Sequence, residues 1–265
     1  MAMSDLDTKI RALLSGADSR FDFWCKLISE MKFTNCTELG VFRGDFAERI
    51  LSNCLTIEKY YMIDPWRNLK TRNKPANKTN DEFERIYSEA MQRTDFASEK
   101  RIVLRGKTTE VINQLPDESL DFAYVDGDHT LKGITIDLIS LYPKIKEGGW
   151  IGGDDFTKTI WQHSTNYEPT LIFPFAIYFA EAVNAPIYAL PFDQFAIIKS
   201  KRESFSFIDL TASYPRPLLR EQIHPNQTQK KQASHILNAW KTLVSKIKIL
   251  PKVRTAIEDE KDSTA

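Results

Sequence analysis

DFAYVDGDHTLKGITIDLISLYPKIKEGGWIGGDDF, residues 121–156, reads as a strand, a helix and a second strand in direct succession. The first apolar run ends at Asp126 and the second at Asp154-Asp155. Between them Leu131, Ile134, Leu138, Leu141 and Ile145 recur at helical spacing, and Gly148-Gly149 is expected to stop the helix before the next strand. This is a βαβ crossover, the unit from which a parallel sheet is built.

Working outward, CTELG (36–40), YYMID (60–64) and RIVLRG (101–106) read as further strands separated by longer helical patterns. The alternation predicts an α/β fold, a Rossmann-like doubly wound sheet that is mostly parallel with helices on both faces. Residues 186–199 give two short apolar runs around a turn, PIYAL-PFDQ-FAIIKS, a hairpin that adds a last, antiparallel strand. Residues 5–33 form one or two helices that cover the sheet or act as a lid, and the polar, turn-rich stretch 67–82 is expected to be a mobile loop. Three regions follow: a helical cap at 1–33, a sheet domain at 34–204 and an extension at 205–265. In the extension Ala233, Ile236, Leu237, Trp240, Leu243, Val244 and Ile247 fall on one stripe beside Lys230, Lys231, Lys241, Lys246 and Lys248. Such a basic amphipathic helix packs on the main domain, makes a homodimer contact, or lies on an anionic membrane surface. IEDEKDSTA then reads as a disordered tail.

Composition narrows the function class. Lys+Arg and Asp+Glu both number 36, so overall charge offers no argument for nucleic acid. Cys25, Cys36 and Cys54 are an odd set without C-x-x-C spacing, which speaks against a disulfide framework or zinc site and for a reducing cytoplasm. The polar N-terminus lacks a signal-peptide core, and no run reaches the roughly 18 apolar residues of a spanning helix.

In a doubly wound sheet, ligands bind beyond the carboxyl ends of the strands. Those ends here are Glu38-Leu39-Gly40, Asp64-Pro65-Trp66, Gly106-Lys107-Thr108, Asp126-Gly127-Asp128-His129 and Asp154-Asp155, and four of the five are acidic. A row of carboxylates along one edge suits a polyhydroxylated or cationic ligand, or a metal. ELGVFRGDFAERI (38–50) turns through Gly40 and Gly44 into an amphipathic helix, and its spacing differs from the dinucleotide fingerprint G-x-G-x-x-G. Asp64, 24 positions after Gly40, stands where an acid accepts hydrogen bonds from a ribose diol, or else caps a helix after Pro65. Together these residues imply a nucleoside-containing cofactor. Asp126, Asp154 and Asp155 can offer oxygen ligands to a hard divalent ion such as Mg²⁺, and His129 on the first helical turn can take a proton from a substrate hydroxyl. The plain alternatives are caps and turns, with Asp128 as the helix N-cap. Trp66, Trp150, Trp161, Phe156 and Phe173 are core residues or stacking platforms for an acceptor.

These residues resemble the class I S-adenosylmethionine-dependent methyltransferases over about residues 34–200. ELGVFRG is similar to the first motif of that family, YMIDPW to the second, and 121–156 to the fourth and fifth. The last stretch resembles the branch with small-molecule and sugar O-methyltransferases of macrolide and capsule pathways and cephalosporin hydroxylase-like enzymes. The resemblance implies that Glu38, Gly40 and Gly44 border the methionine part of the cofactor. It places Asp64 on the ribose, Thr108 or Thr109 near the adenine, and Asp126, Asp154 and Asp155 on a metal. His129 stands where catechol O-methyltransferase carries a lysine base. The implied activity is Mg²⁺-assisted methylation of a small-molecule or sugar hydroxyl. The alternatives are a non-catalytic binder of the cofactor and a nicotinamide-dependent oxidoreductase, which the glycine spacing disfavours.

Overall fold

The computed structural model describes residues 3–214 apart from 163 and 165. The basic stripe and tail read from the sequence lie outside the described residues. The chain begins with two helices, α1 (Met3–Ser15) and α2 (Arg20–Met31), followed by β1 (Asn35–Leu39), α3 (Asp45–Asn53) and β2 (Lys59–Asp64). Then come α4 (Asn80–Arg93), β3 (Arg101–Arg105), α5 (Thr108–Val111), β4 (Leu120–Val125), α6 (Leu131–Leu141) and β5 (Ile145–Gly153). The last described elements are α7 (Ile172–Ala182), β6 (Ile187–Leu190), β7 (Gln194–Ile198) and β8 (Phe207–Asp209).

The strands form one sheet in the order β3-β2-β1-β4-β5-β7-β6-β8. Neighbours from β3 through β5 pair in parallel, and β7 runs antiparallel to both β5 and β6. The order reverses between β1 and β4, which opens a crevice at their carboxyl ends. The sequence expectation of a mostly parallel, doubly wound α/β sheet therefore holds. The antiparallel strand lies inside the sheet, and β8 pairs with β6 at the edge, taking residues beyond 204 into it.

Both faces of the sheet are covered. Phe23, Trp24, Leu27 and Ile28 of α2 pack with Phe46, Ala47 and Ile50 of α3 on one face, and Ile134, Leu138 and Leu141 of α6 pack with Phe173, Ala176 and Ile177 of α7 on the other. Burial of these apolar faces stabilises the layers at roughly 25 cal/mol per Å². Trp24 lies against β5 where a side chain at Gly152 would overlap its ring, so that glycine admits the helix to the sheet.

Three local readings need correction. The helix after β4 ends at Leu141, because Pro143 follows in a short 3-10 turn and cannot continue the α-helical hydrogen bonds; Ile145 already belongs to β5. Gly148-Gly149 lies within that strand, with Gly148 at φ 80° where the pairing with β4 shifts register. The helix N-cap is Thr130 in place of Asp128: its hydroxyl accepts from the Gly133 N–H at 3.1 Å, while Asp128 accepts from the Thr130 N–H. The stretch 67–82 also includes the start of α4, closed by a capping box between Thr79 and Glu82.

Candidate active site

The strand ends are knitted together by backbone hydrogen bonds that run past the ladders. Gly40 N–H donates to Ile63, Asp126 N–H to Leu39, Asp154 N–H to Val125 and Gly106 N–H to the Asp64 carbonyl, at 2.8–3.1 Å. These bonds bring the acidic strand ends of the sequence reading to one edge. Gly40 has φ 91°, and a Cβ there would overlap the carbonyl of Asp126, so only glycine allows β1 and β4 to close at the switch point. Gly44, at φ 82°, is the N-cap of α3.

Asp64 spans the gap between two loops. Its carboxylate accepts from the Phe42 N–H at 3.0 Å and the Trp66 N–H at 2.7 Å, and burial still holds its pKa above the usual carboxylate value. No helix begins after Pro65. Glu38 lies deeper, with its carboxyl accepting from the Tyr60 hydroxyl at 2.8 Å. Burial pushes its pKa up to about 8, with the charges of Asp126 and Asp64 adding to the rise and Tyr60 and Arg20 opposing it. Thr108 sits at the start of α5 and donates to Asp137 at 2.5 Å, whereas Thr109 is exposed.

The residues after β4 and β5 form a second cluster. His129 precedes the helix, in the loop rather than its first turn, and is fixed by the Leu171 N–H on its carbonyl. Its Nδ1 is paired with Asp155 and its Nε2 lies 3.3 Å from Asp126, in a geometry that leaves Nε2 without a well-formed hydrogen bond. Burial alone would lower the imidazole pKa, but the two carboxylates hold it up at about 9. Asp155 occupies the left-handed region at φ 59° and is also held by the Gln162 amide. Burial raises its pKa, and the bonds from His129 and Gln162 and the charge of Arg20 bring it below the ordinary value.

Donor atoms of Asp126, His129 and Asp155 all lie within 4.8 Å of one another, a spacing that a single divalent ion can bridge with one nitrogen and two oxygens. Asp154, grouped with Asp126 and Asp155 in the sequence reading, faces other partners: Arg20 at the start of α2 forms an ion pair with it, and Gln194 donates to it at 2.5 Å.

Four residues here were missed from the sequence. Arg20 also approaches Asp126 to 3.7 Å. Gln194, fully buried, accepts from Trp24 Nε1 at 2.9 Å and from the Tyr124 hydroxyl at 2.8 Å, so α2, β4 and β7 fix its amide against Asp154. Asp137 is a buried acid on α6 whose pKa burial pushes up to about 7. Arg72, on the loop between β2 and α4, donates to the Gly127 carbonyl, and its buried Nε has no partner.

That loop is folded. Asn77 bonds both to Leu69 and to the Arg72 carbonyl, and the buried Lys74 ammonium donates to the carbonyls of Glu168 at 2.7 Å and Pro169 at 3.2 Å. The segments before α4 and before α7 are thereby latched together. Among the aromatic residues named from the sequence, Trp66, Trp150, Phe156 and Phe173 are core residues, and Trp161 presents its ring to solvent.

Residues 37–156 match the model of a family described as a methyltransferase domain. A putative caffeoyl-CoA O-methyltransferase from Staphylococcus aureus is similar in structure with 14% identity, covering 76% of this chain and 93% of its own, at a TM-score of 0.53. An O-methyltransferase from Bacillus cereus in complex with SAH is similar with 15% identity, covering 73% of this chain and 88% of that one, at 0.51. A putative O-methyltransferase from Klebsiella pneumoniae is similar with 12% identity, 72% and 89% coverage, and a TM-score of 0.50. At these identities the likeness is one of fold. A comparison with curated proteins found no match in sequence. No helix among the described residues is long and apolar enough to cross a membrane.

Proposed function

We propose that the protein is an S-adenosylmethionine-dependent O-methyltransferase, assisted by a divalent cation such as Mg²⁺, that acts on a hydroxyl of a small molecule or sugar. The observation that carries this reading is the meeting, at one switch point, of the Gly40 turn and Asp64 with the cluster of Asp126, His129 and Asp155. The methyltransferase-domain match over 37–156 supports it. The cytoplasm is the compartment that suits three free cysteines.

The bound cofactor supplies an electrophilic methyl group for in-line displacement, which requires an aligned nucleophilic oxygen. Asp64 retains lone pairs for a ribose diol after accepting from Phe42 and Trp66. Glu38 offers a carboxylate to the cationic amino-acid end, and Thr108 with Asp137 borders the base. A cation held by Asp126, His129 and Asp155 would lower the pKa of an acceptor hydroxyl. Asp154, with Arg20 on it, steers the acceptor side of the crevice, and Trp161, next to Gln162, offers a face on which a sugar or ring can stack.

A second reading rests on the His129–Asp155 pair. Without metal, the carboxylate on Nδ1 orients the imidazole, and because its pKa is held at about 9, Nε2 becomes free to receive a proton only as pH rises toward that value, the arrangement of a general base for an alkaline range.

The test is calorimetric titration with S-adenosylhomocysteine. Wild type is expected to bind at micromolar concentration, and Asp64→Ala to weaken binding by about 10- to 100-fold, the effect of losing one or two hydrogen bonds to a charged group. No binding by the wild type at millimolar ligand would remove the methyltransferase reading.

A further inference from the structure

The three cysteines take no part in the site described above, yet two of them meet. Cys25 is on α2 and partly exposed, Cys54 follows directly on α3 and is buried, and Cys36 is buried in β1. The sulfur of Cys54 lies 3.5 Å from the Cys25 carbonyl oxygen, and the sulfur of Cys25 lies 3.5 Å from the Arg49 carbonyl in the last turns of α3. Each thiol therefore reaches the backbone of the other's helix across the seam between α2 and the end of α3.

We infer that Cys25 and Cys54 form a reversible dithiol–disulfide site for a two-electron oxidant of the peroxide class, one that staples α2 to the end of α3. The bond would enclose residues 26–53, the segment that holds β1, Glu38 and the Gly40–Gly44 turn, while Arg20 stands at the first residue of the stapled α2.

The chemistry balances within the pair. A Cys54 thiolate attacks one oxygen of hydrogen peroxide to give a sulfenic acid and hydroxide; the Cys25 sulfur then displaces the sulfenic oxygen as a second hydroxide. The two thiol protons turn both hydroxides into water, so two thiols and one peroxide give one disulfide and two waters. Hydrogen bonds from Cys25 and Ser29 hold the Cys54 thiol below its ordinary pKa against the effect of burial, while the bond to Cys54 and burial hold Cys25 above it. Cys54 is thus the attacking sulfur, and the partly exposed Cys25 marks the seam through which a small oxidant enters. Cys36, fully buried in the sheet, remains a thiol.

The experiment treats the reduced full-length protein with one equivalent of hydrogen peroxide and reads intact mass, free-thiol count and a peptide map. The expected result is a loss of two mass units, a fall from three free thiols to one, a Cys25–Cys54 peptide, and full reversal by dithiothreitol. Cys36→Ser should leave the mass loss unchanged, and Cys25→Ser should abolish it. Three thiols remaining in the wild type, a bridge that includes Cys36, a bridge between two chains, or stable sulfinic acid would each overturn the proposal. The peptide map of the wild type decides the matter even where a variant fails to fold.

Discussion

His129→Ala is expected to lower kcat for methyl transfer by about 10²- to 10⁴-fold, the range for loss of a positioned acid–base group. Affinity for S-adenosylhomocysteine should change little, because the imidazole faces Asp126 and Asp155 on the acceptor side while Asp64 and Glu38 lie along β1 and β2. The effect is large under either account of the residue. As a metal ligand its loss leaves two carboxylates to hold a hard cation; as a base its loss removes the proton acceptor. A chelator separates the two. Activity abolished by chelation and restored by Mg²⁺ or Mn²⁺ supports the metal, whereas chelator-resistant turnover that still collapses in His129→Ala supports the oriented base. Single-turnover rates of wild type and variant, with SAH affinity measured in parallel, provide the check; a variant that retains wild-type kcat sinks both accounts.

The parts of this arrangement that follow local rules were legible in the sequence. Five strand ends were visible because each apolar run stops on a polar residue, and the fold followed from their alternation with helical periods. The stop of α6 was misplaced because Ile145 continues the 3.6-residue spacing by coincidence, and the Pro143 break outweighs it. The partners of Asp154 lie outside any local pattern: Arg20 comes from a helix 134 positions earlier in the chain, and only the docking of Trp24 on β5 carries it there. Gln194 and Asp137 did leave a signal. A lone glutamine inside the apolar run FDQFAII, and an aspartate on the same stripe as Ile134 and Leu141, are polar residues at core positions, and such residues must find partners. The fold of the loop carrying Arg72 and Lys74 depends on contacts with residues 166–169, so its polar composition read as mobility.

Glu38 provides the second large effect, and its sign can be worked out. The carboxyl titrates at about 8 in the folded protein against an ordinary 4.5, so between those values the native state holds a proton that the unfolded chain has released. Stability is therefore full below about pH 4.5 as far as this group is concerned, and falls as pH rises through 8; the full shift corresponds to roughly 5 kcal/mol as an upper bound. Glu38→Gln keeps an oxygen for the Tyr60 hydroxyl and cannot ionise, so its Tm should exceed that of the wild type at pH 8.5 and match it near pH 5. The groups facing Glu38 are Tyr60 and Asp64 from β2, Asp126 after β4 and Arg20 from α2, and none supplies a cation in contact with the carboxyl. A ligand with a cationic amino-acid end would supply one and draw the proton off. Binding of S-adenosylhomocysteine at pH 7 should then release up to one proton, which calorimetry reads as a binding enthalpy that differs between phosphate and Tris buffers. In Glu38→Gln the affinity should fall and the buffer dependence disappear. A buffer-independent enthalpy in the wild type would mean that the ammonium group lies elsewhere, and that Glu38 serves the fold of the glycine turn alone.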